Sequence, residues 1–456
     1  MELARKFQSS TFYDHVGKFF RSDWYLLLLA TLTIFPFTLG KYFVGLWIVG
    51  IVTCIAMILS EDILPSFAGF LFAAMTVFEM HGASQEEILS GAWLAIPVAI
   101  SFVFHMIFYR KKSYKPGKAF RCQIAVAIAI KLAGVGITTA EQYFALPTLY
   151  FCCFLGFGML GMFVVLDMYT PQKPEYIANY FAKTMMFIGF TVILMWLGAI
   201  IQEIPHMDDG FEIPIRQWKN NVGNLMLIAV PATLYYGTKS RHSWLCLLYA
   251  TVELVAILFS KSRGATMVAI ALAPFELVAY FILLKNNAQR WRNGILLAGF
   301  ATILLIVLLV NDMYVLRYLH NLLQVHQGEA RWALFREGIK NFVEYPIFGA
   351  GLGYRNDEVY PLKAMSIFWY HSTPIQILGS MGLLGAICYG YQLVVRLKLL
   401  ARRNAFHIFM LFAFIGFEGY SCVNTGDFAP LPFGVLIVLI FVLCDKASRA
   451  PTETTD

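Results

Sequence analysis

Of the 456 residues, 59% are hydrophobic and only 14% are charged, whereas a soluble domain carries roughly 25% charged residues. That deficit excludes an ordinary water-soluble protein, and apolar residues in unbroken rather than alternating blocks exclude a membrane β-barrel. The formal net charge of +7 sits largely in short loops between apolar blocks, which excludes nucleic-acid binding as its purpose and makes topology the better reading.

Residues 1–23 are polar, with Phe7, Phe12, Phe19 and Phe20 among basic side chains. They predict a cytoplasmic segment with an interfacial helix and no cleavable signal peptide. Blocks near the bilayer requirement of roughly 17–25 helical residues follow at 24–39, 43–59, 63–80, 88–108, 122–139, 144–166, 184–202, 222–237, 244–260, 265–284 and 295–311. After a long interruption, three more follow at 371–395, 408–424 and 428–444. Lipid offers no partner to a bare backbone, so these blocks must be helices. The expected fold is all-α: a polytopic transmembrane bundle of about 12–14 spans with one large extracytoplasmic loop. The domain reading is 1–23, transmembrane helices 1–11 over 24–311, the loop 312–370, transmembrane helices 12–14 over 371–444, and a cytoplasmic tail 445–456.

Cytoplasmic loops collect Lys and Arg. With the N-terminus inside, 23 of the 35 basic residues fall on inner segments. The tract of Arg110, Lys111, Lys112, Lys115, Lys118 and Arg121 reads as a topology anchor. The eight cysteines lie in or at the ends of apolar blocks without metal-ligand spacing, and they read as small apolar residues. Lys131, Glu253, Glu276 and Glu418 fall inside spans, where charge is costly and often functional. A Lys131–glutamate pair is one expectation for them.

The loop 312–370 has its own pattern. Trp332, Phe335, Ile339, Phe342 and Val343 recur at helical spacing, and Pro346 ends the helix. The tract Gly349-Ala350-Gly351-Leu352-Gly353 follows, where backbone can approach another group closely. As a phosphate loop it lacks the Lys-Ser/Thr pair. Cations gather on this outer face, against the topology bias: Lys261 and Arg263 in a tight turn, Arg331, Arg336 and Lys340 on the loop helix, and Arg355 after the glycines. His371 opens the next span. Guanidinium forks match phosphate oxygens, so this face suits an anionic lipid headgroup, and a pyrophosphate in particular. No carboxylate pair reads as a metal site; Asp208-Asp209 reads as solvated.

Glu329-Ala330-Arg331-Trp332-Ala333-Leu334-Phe335, running on to Tyr345-Pro346-Ile347-Phe348-Gly349-Ala350-Gly351-Leu352-Gly353, resembles the signature loop of the O-antigen ligase and polymerase superfamily. His371-Ser372, nine residues and Gly382-Leu383-Leu384-Gly385 complete the resemblance, which covers roughly 255–390. It implies a metal-independent membrane glycosyltransferase with no cofactor. Such an enzyme moves a glycan from undecaprenyl diphosphate to a glycan, lipid or wall acceptor outside the bacterial cytoplasmic membrane. Arg331 matches the leading arginine and His371 the motif histidine. Arg263 stands where Ser-Arg-Gly precedes a span. Met267 stands where the ligase pattern has Leu, which leaves ligase and polymerase open.

On this reading Arg331 and Arg263 stabilise the leaving diphosphate and His371 is the base for the acceptor hydroxyl. Arg336, Lys340, Arg355 and Lys261 are expected to contact substrate. The competing class is a secondary transporter using the intramembrane charges, although no internal repeat is visible. A non-catalytic scaffold is a third reading.

Overall fold

The computed structural model describes residues 11–76, 91–111, 113–134, 149, 152–203, 218–260, 262–310, 328–359, 368–424, 426–428 and 433–449. Among these, the chain is all-helical. In order, the helices are α1 (Thr11–Phe20), α2 (Asp23–Thr38), α3 (Tyr42–Leu59), α4 (Leu64–Thr76), α5 (Ala95–Phe108) and α6 (Phe120–Leu132). A π-helical turn (Cys152–Gly158) leads into α7 (Met159–Tyr169), followed by α8 (Pro174–Glu203), α9 (Trp218–Lys239), α10 (Ser243–Phe259), α11 (Arg263–Leu283) and α12 (Asn287–Val310). The loop helix α13 (Gly328–Glu344) precedes α14 (Thr373–Leu400), α15 (Ala405–Ser421) and α16 (Val435–Arg449).

A helix coincides with each of the fourteen apolar blocks. Tyr42–Leu59, Cys152–Tyr169, Pro174–Gly198, Arg263–Leu283 and Thr373–Leu400 are long and apolar enough to cross a membrane. Asp23–Thr38, Leu64–Thr76, Ala95–Phe108, Ser243–Leu258 and Ala405–Ser421 are shorter apolar helices. Residues 222–235 of α9 and nearly all of α16 are buried, as befits helices apolar on every side. Peripheral helices turn apolar side chains outward instead, including Ile100 and Ile107 of α5, Phe275 and Ile282 of α11, and Ile387 of α14. An outer surface of that kind is what lipid requires.

One end of the bundle is tied by ions. Arg21 pairs with Asp62 at 3.8 Å, Lys183 with Asp23 at 2.8 Å, and Lys111 with Glu61. Asp167 accepts from the Tyr114 hydroxyl and the Gly117 amide, both at 2.8 Å, and from Arg449 at 2.7 Å. Asp445 accepts from the Lys118 amide at 2.9 Å. The basic loop is thus clamped onto the C-terminal helix, and residues 60–62, 110–111, 113–118, 167–183 and 445–449 share this far end.

The fourteenth helix departs from the expected continuous span. It is broken at Gly382 (φ 58, ψ −151), and the glycine tract of the loop fills the break. The Ala350 amide donates to Gly379 O at 2.8 Å and the Gly351 amide to Ser380 O at 3.0 Å. Below the break, the Leu383 amide donates to Pro346 O at 2.8 Å and the Leu384 amide to Ile347 O at 3.1 Å. A helix break orphans such groups, and lipid cannot satisfy them, so the tract supplies the missing partners. The contact is close on both sides. Gly349 has φ +70, and a Cβ there would lie 2.4 Å from Met381 N; a Cβ on Gly382 would lie 2.6 Å from Ile347 O. Gly349→Ala is therefore expected to cost more than about 1 kcal/mol through its left-handed φ alone, with the clash added. A clear fall in the melting midpoint of detergent-solubilised protein is the measurement.

Candidate functional site

At the other end of the bundle three distant segments meet on the corner after α15. Asn424 Nδ2 donates to the Tyr420 hydroxyl at 2.6 Å, and that hydroxyl donates to Asn220 O at 3.3 Å. Ser262, capping α11, donates to Asn220 Oδ1 at 3.1 Å. The Thr373 amide donates to Asn424 O at 3.0 Å. The corner therefore fixes the starts of α11 and α14 together.

Two of the residues singled out in the sequence stand on this corner. Arg331, exposed in the first turns of α13, reaches Val423 O with Nη1 at 3.5 Å. His371 precedes α14. It has φ 54 and is the one non-glycine residue with positive φ among those described. Such a backbone costs of order 1–3 kcal/mol and persists only where surroundings enforce it, frequently at functional sites. Its Nδ1 is buried and has no hydrogen-bond partner among the described residues. Burial pulls the imidazole below its ordinary value near 6.5, and the Arg331 guanidinium pulls it further; the Asn424 side chain acts in the opposite direction. Arg263 is half-buried at the first position of α11, beside Gly264. A Cβ on Gly264 would come 2.7 Å from Val423 Cγ2, so α11 begins against the same residue that receives Arg331.

The other cations lie elsewhere. Arg336 and Lys340 are exposed on α13, and helical periodicity puts Lys340 on the opposite side from Arg331. Arg355 is half-buried and pairs with Asp357 at 3.3 Å. Lys261 and Asp208-Asp209 lie outside the described residues. The inward face of α13 is polar, bonded to the chain that leads to α14: Glu337 accepts from the Tyr354 hydroxyl and from Asn356 Nδ2 at 2.9 Å, and Asn341 Nδ2 donates to the Tyr370 hydroxyl at 2.7 Å. Burial and the Glu337 carboxylate push Tyr354 up to about 12, which keeps it a donor. Gln376 continues the network, accepting from the Tyr370 amide at 3.0 Å and donating to Phe368 O at 3.2 Å. These contacts hold the chain on both sides of His371.

An apolar groove of about 520 Å³ runs between α14 and α15 from Thr373 and Cys422, beside the corner, to Arg396 and Leu397. Arg396 faces Glu418 across it at 3.8 Å and lies 4.7 Å from the Phe441 ring centroid. Glu418 is thus met by Arg396 and not by Lys131. The expected Lys131–glutamate pair is replaced: Lys131 Nζ lies 3.4 Å from Cys153 Sγ and 4.5 Å from the Phe157 ring centroid. Among the described residues no group of three His, Cys, Asp or Glu could hold a metal ion.

Asn220, Tyr420 and Asn424 escaped the sequence reading. They are common residue types far from the loop motif, and only the fold joins them to it.

A helical bundle with a loop stitched into a helix break and an imidazole beside a guanidinium defines a multi-pass membrane protein with a polar corner at one end. Residues 226–390 match the O-antigen ligase family, so this segment of the chain is similar to the O-antigen ligase/polymerase superfamily. Arg263, Arg331 and His371 all fall within the matched segment. No curated protein and no solved structure matches the chain.

Proposed function

We propose that this chain transfers a glycan from an undecaprenyl-diphosphate-linked donor to an acceptor hydroxyl at the extracytoplasmic face of the bacterial cytoplasmic membrane, without a metal. The observation that carries the reading is His371: a strained backbone holds a half-buried imidazole whose Nδ1 is buried and without a partner among the described residues, beside Arg331 and two residues before Thr373, which lines the apolar groove.

The bond between the sugar anomeric carbon and the diphosphate oxygen breaks, and that oxygen leaves with the electron pair. The acceptor oxygen forms the new bond to the same carbon, and its proton passes to His371. A diphosphate leaving group needs charge stabilisation more than protonation, and Arg331 with Arg263 supplies it. The groove between α14 and α15 takes part of the isoprenoid chain. Lys261 and Arg355 are assigned to the glycan.

Transfer in proteoliposomes with a purified lipid-linked glycan and one acceptor at a time tests this. Product formed in the presence of a chelator supports it; donor left intact by every acceptor opposes it. The pH dependence is a second test. An imidazole held below 6.5 is neutral at pH 7 and ready to accept a proton. Rate should therefore fall only on acidification below about 6.5, and Arg331→Gln, by removing the repelling charge, should move that limb upward. A limb above 6.5 in the unaltered protein would contradict the assignment.

No observation favours the transporter reading. In transporters a broken helix leaves backbone groups for an ion or substrate, whereas the groups at the Gly382 break are taken by the loop.

A further inference from the structure

The apolar stripe on α13 faces away from the protein. Trp332 is 55% exposed, Ile339 45% and Val343 72%, and Ile347 continues the stripe at 59%. The buried face is instead Leu334, Glu337, Gly338 and Asn341, with Gly338 set against Ile375 and Gly379 of α14. Burying a polar face while exposing an apolar one is the reverse of a helix lying in water. Arg336, one turn from both Trp332 and Ile339, stands on the stripe and Lys340 at its edge; long basic side chains of this kind reach from an apolar face to the headgroups of a bilayer surface.

The tract after α13 enters the bundle: the Leu352 amide donates to Gly134 O at 2.6 Å, and Gly349–Gly351 lies against Gly379–Met381 inside α14, a helix long and apolar enough to cross a membrane. Pro346 and Ile347 then meet Gly382, and Leu383 and Ile387, further along α14, are 48% and 68% exposed. The two exposed apolar surfaces are continuous.

We propose that α13 and the tract after it form a re-entrant segment seated in the lipid leaflet at the site end of the bundle. Trp332, Ile339, Val343 and Ile347 contact acyl chains, and Arg336 and Lys340 meet the phosphates of bulk lipid. The inference is independent of the reaction assigned above.

Spin labels on Val343→Cys, Ile347→Cys, Arg336→Cys and Lys340→Cys test it, in full-length protein with Cys153, Cys388 and Cys422 changed to serine. The proteins are placed in phosphatidylethanolamine–phosphatidylglycerol nanodiscs, and collision rates with oxygen and with a water-soluble nickel chelate are measured. The expected result is an oxygen-to-nickel ratio several-fold higher at 343 and 347 than at 336 and 340, with 347 the deepest. Nickel access at all four positions would put the helix in water and overturn the proposal. Low collision with both reagents at 343 and 347, with an immobilised spectrum, would mean that protein covers the stripe, and would overturn it equally.

Discussion

Exchange of His371 for glycine is expected to lower glycan transfer by about 10²–10⁴-fold, the usual contribution of a positioned general base, while leaving the fold intact. Glycine is the informative replacement because of the backbone. At φ 54 any side chain bears strain that glycine does not, so His371→Gly should melt no earlier than the unaltered protein and up to about 1 kcal/mol later. His371→Ala keeps the strain and removes the same base, so the two variants should share one residual activity despite different stabilities. A histidine serving only to shape the turn before α14 predicts the opposite order, with glycine preserving function better than alanine. Partial recovery of His371→Gly by added imidazole would further tie the loss to the missing ring. Full transfer by either variant removes His371 from the chemistry.

Much of this architecture can be read from the sequence, for a physical reason. Lipid demands unbroken apolar helices, so each block from 24–39 to 428–444 announces a helix. The break in α14 is different. The block 371–395 looks continuous because the groups that satisfy its broken backbone belong to Pro346, Ile347, Ala350 and Gly351, which are remote in sequence. The paired glycines at 349–353 and 382–385 were visible, but their mutual fit is a property of two surfaces in contact. Periodicity likewise marks α13 as amphipathic without saying which side turns inward. The inward side is set by Tyr370, Tyr354 and Asn356, which offer hydrogen bonds to Glu337 and Asn341. For the site, Arg331 and His371 were legible from residue type and order. Asn220, Tyr420 and Asn424, which bring them to one corner, were not.

Arg331→Ala is expected to reduce transfer by about 10²–10³-fold, as loss of one preorganised donor to a developing oxyanion does elsewhere. The structural contribution of Arg331 is small: the side chain is exposed, and it approaches Val423 O only at 3.5 Å. Stability should therefore change by no more than about 0.5 kcal/mol. That contrast separates a phosphate-gripping residue from a strut between α13 and the corner, since a strut would show its loss in melting before it showed in rate. Arg331→Lys refines the test. Lysine keeps the charge but not the planar fork, so it should hold His371 low, leaving the acid limb in place, yet recover only part of the rate. If lysine restored full transfer, positive charge alone would be sufficient and the two-pronged grip on diphosphate would be wrong. If alanine left transfer unchanged, the diphosphate would have to be held by other groups, and Arg263 would be the next residue to replace.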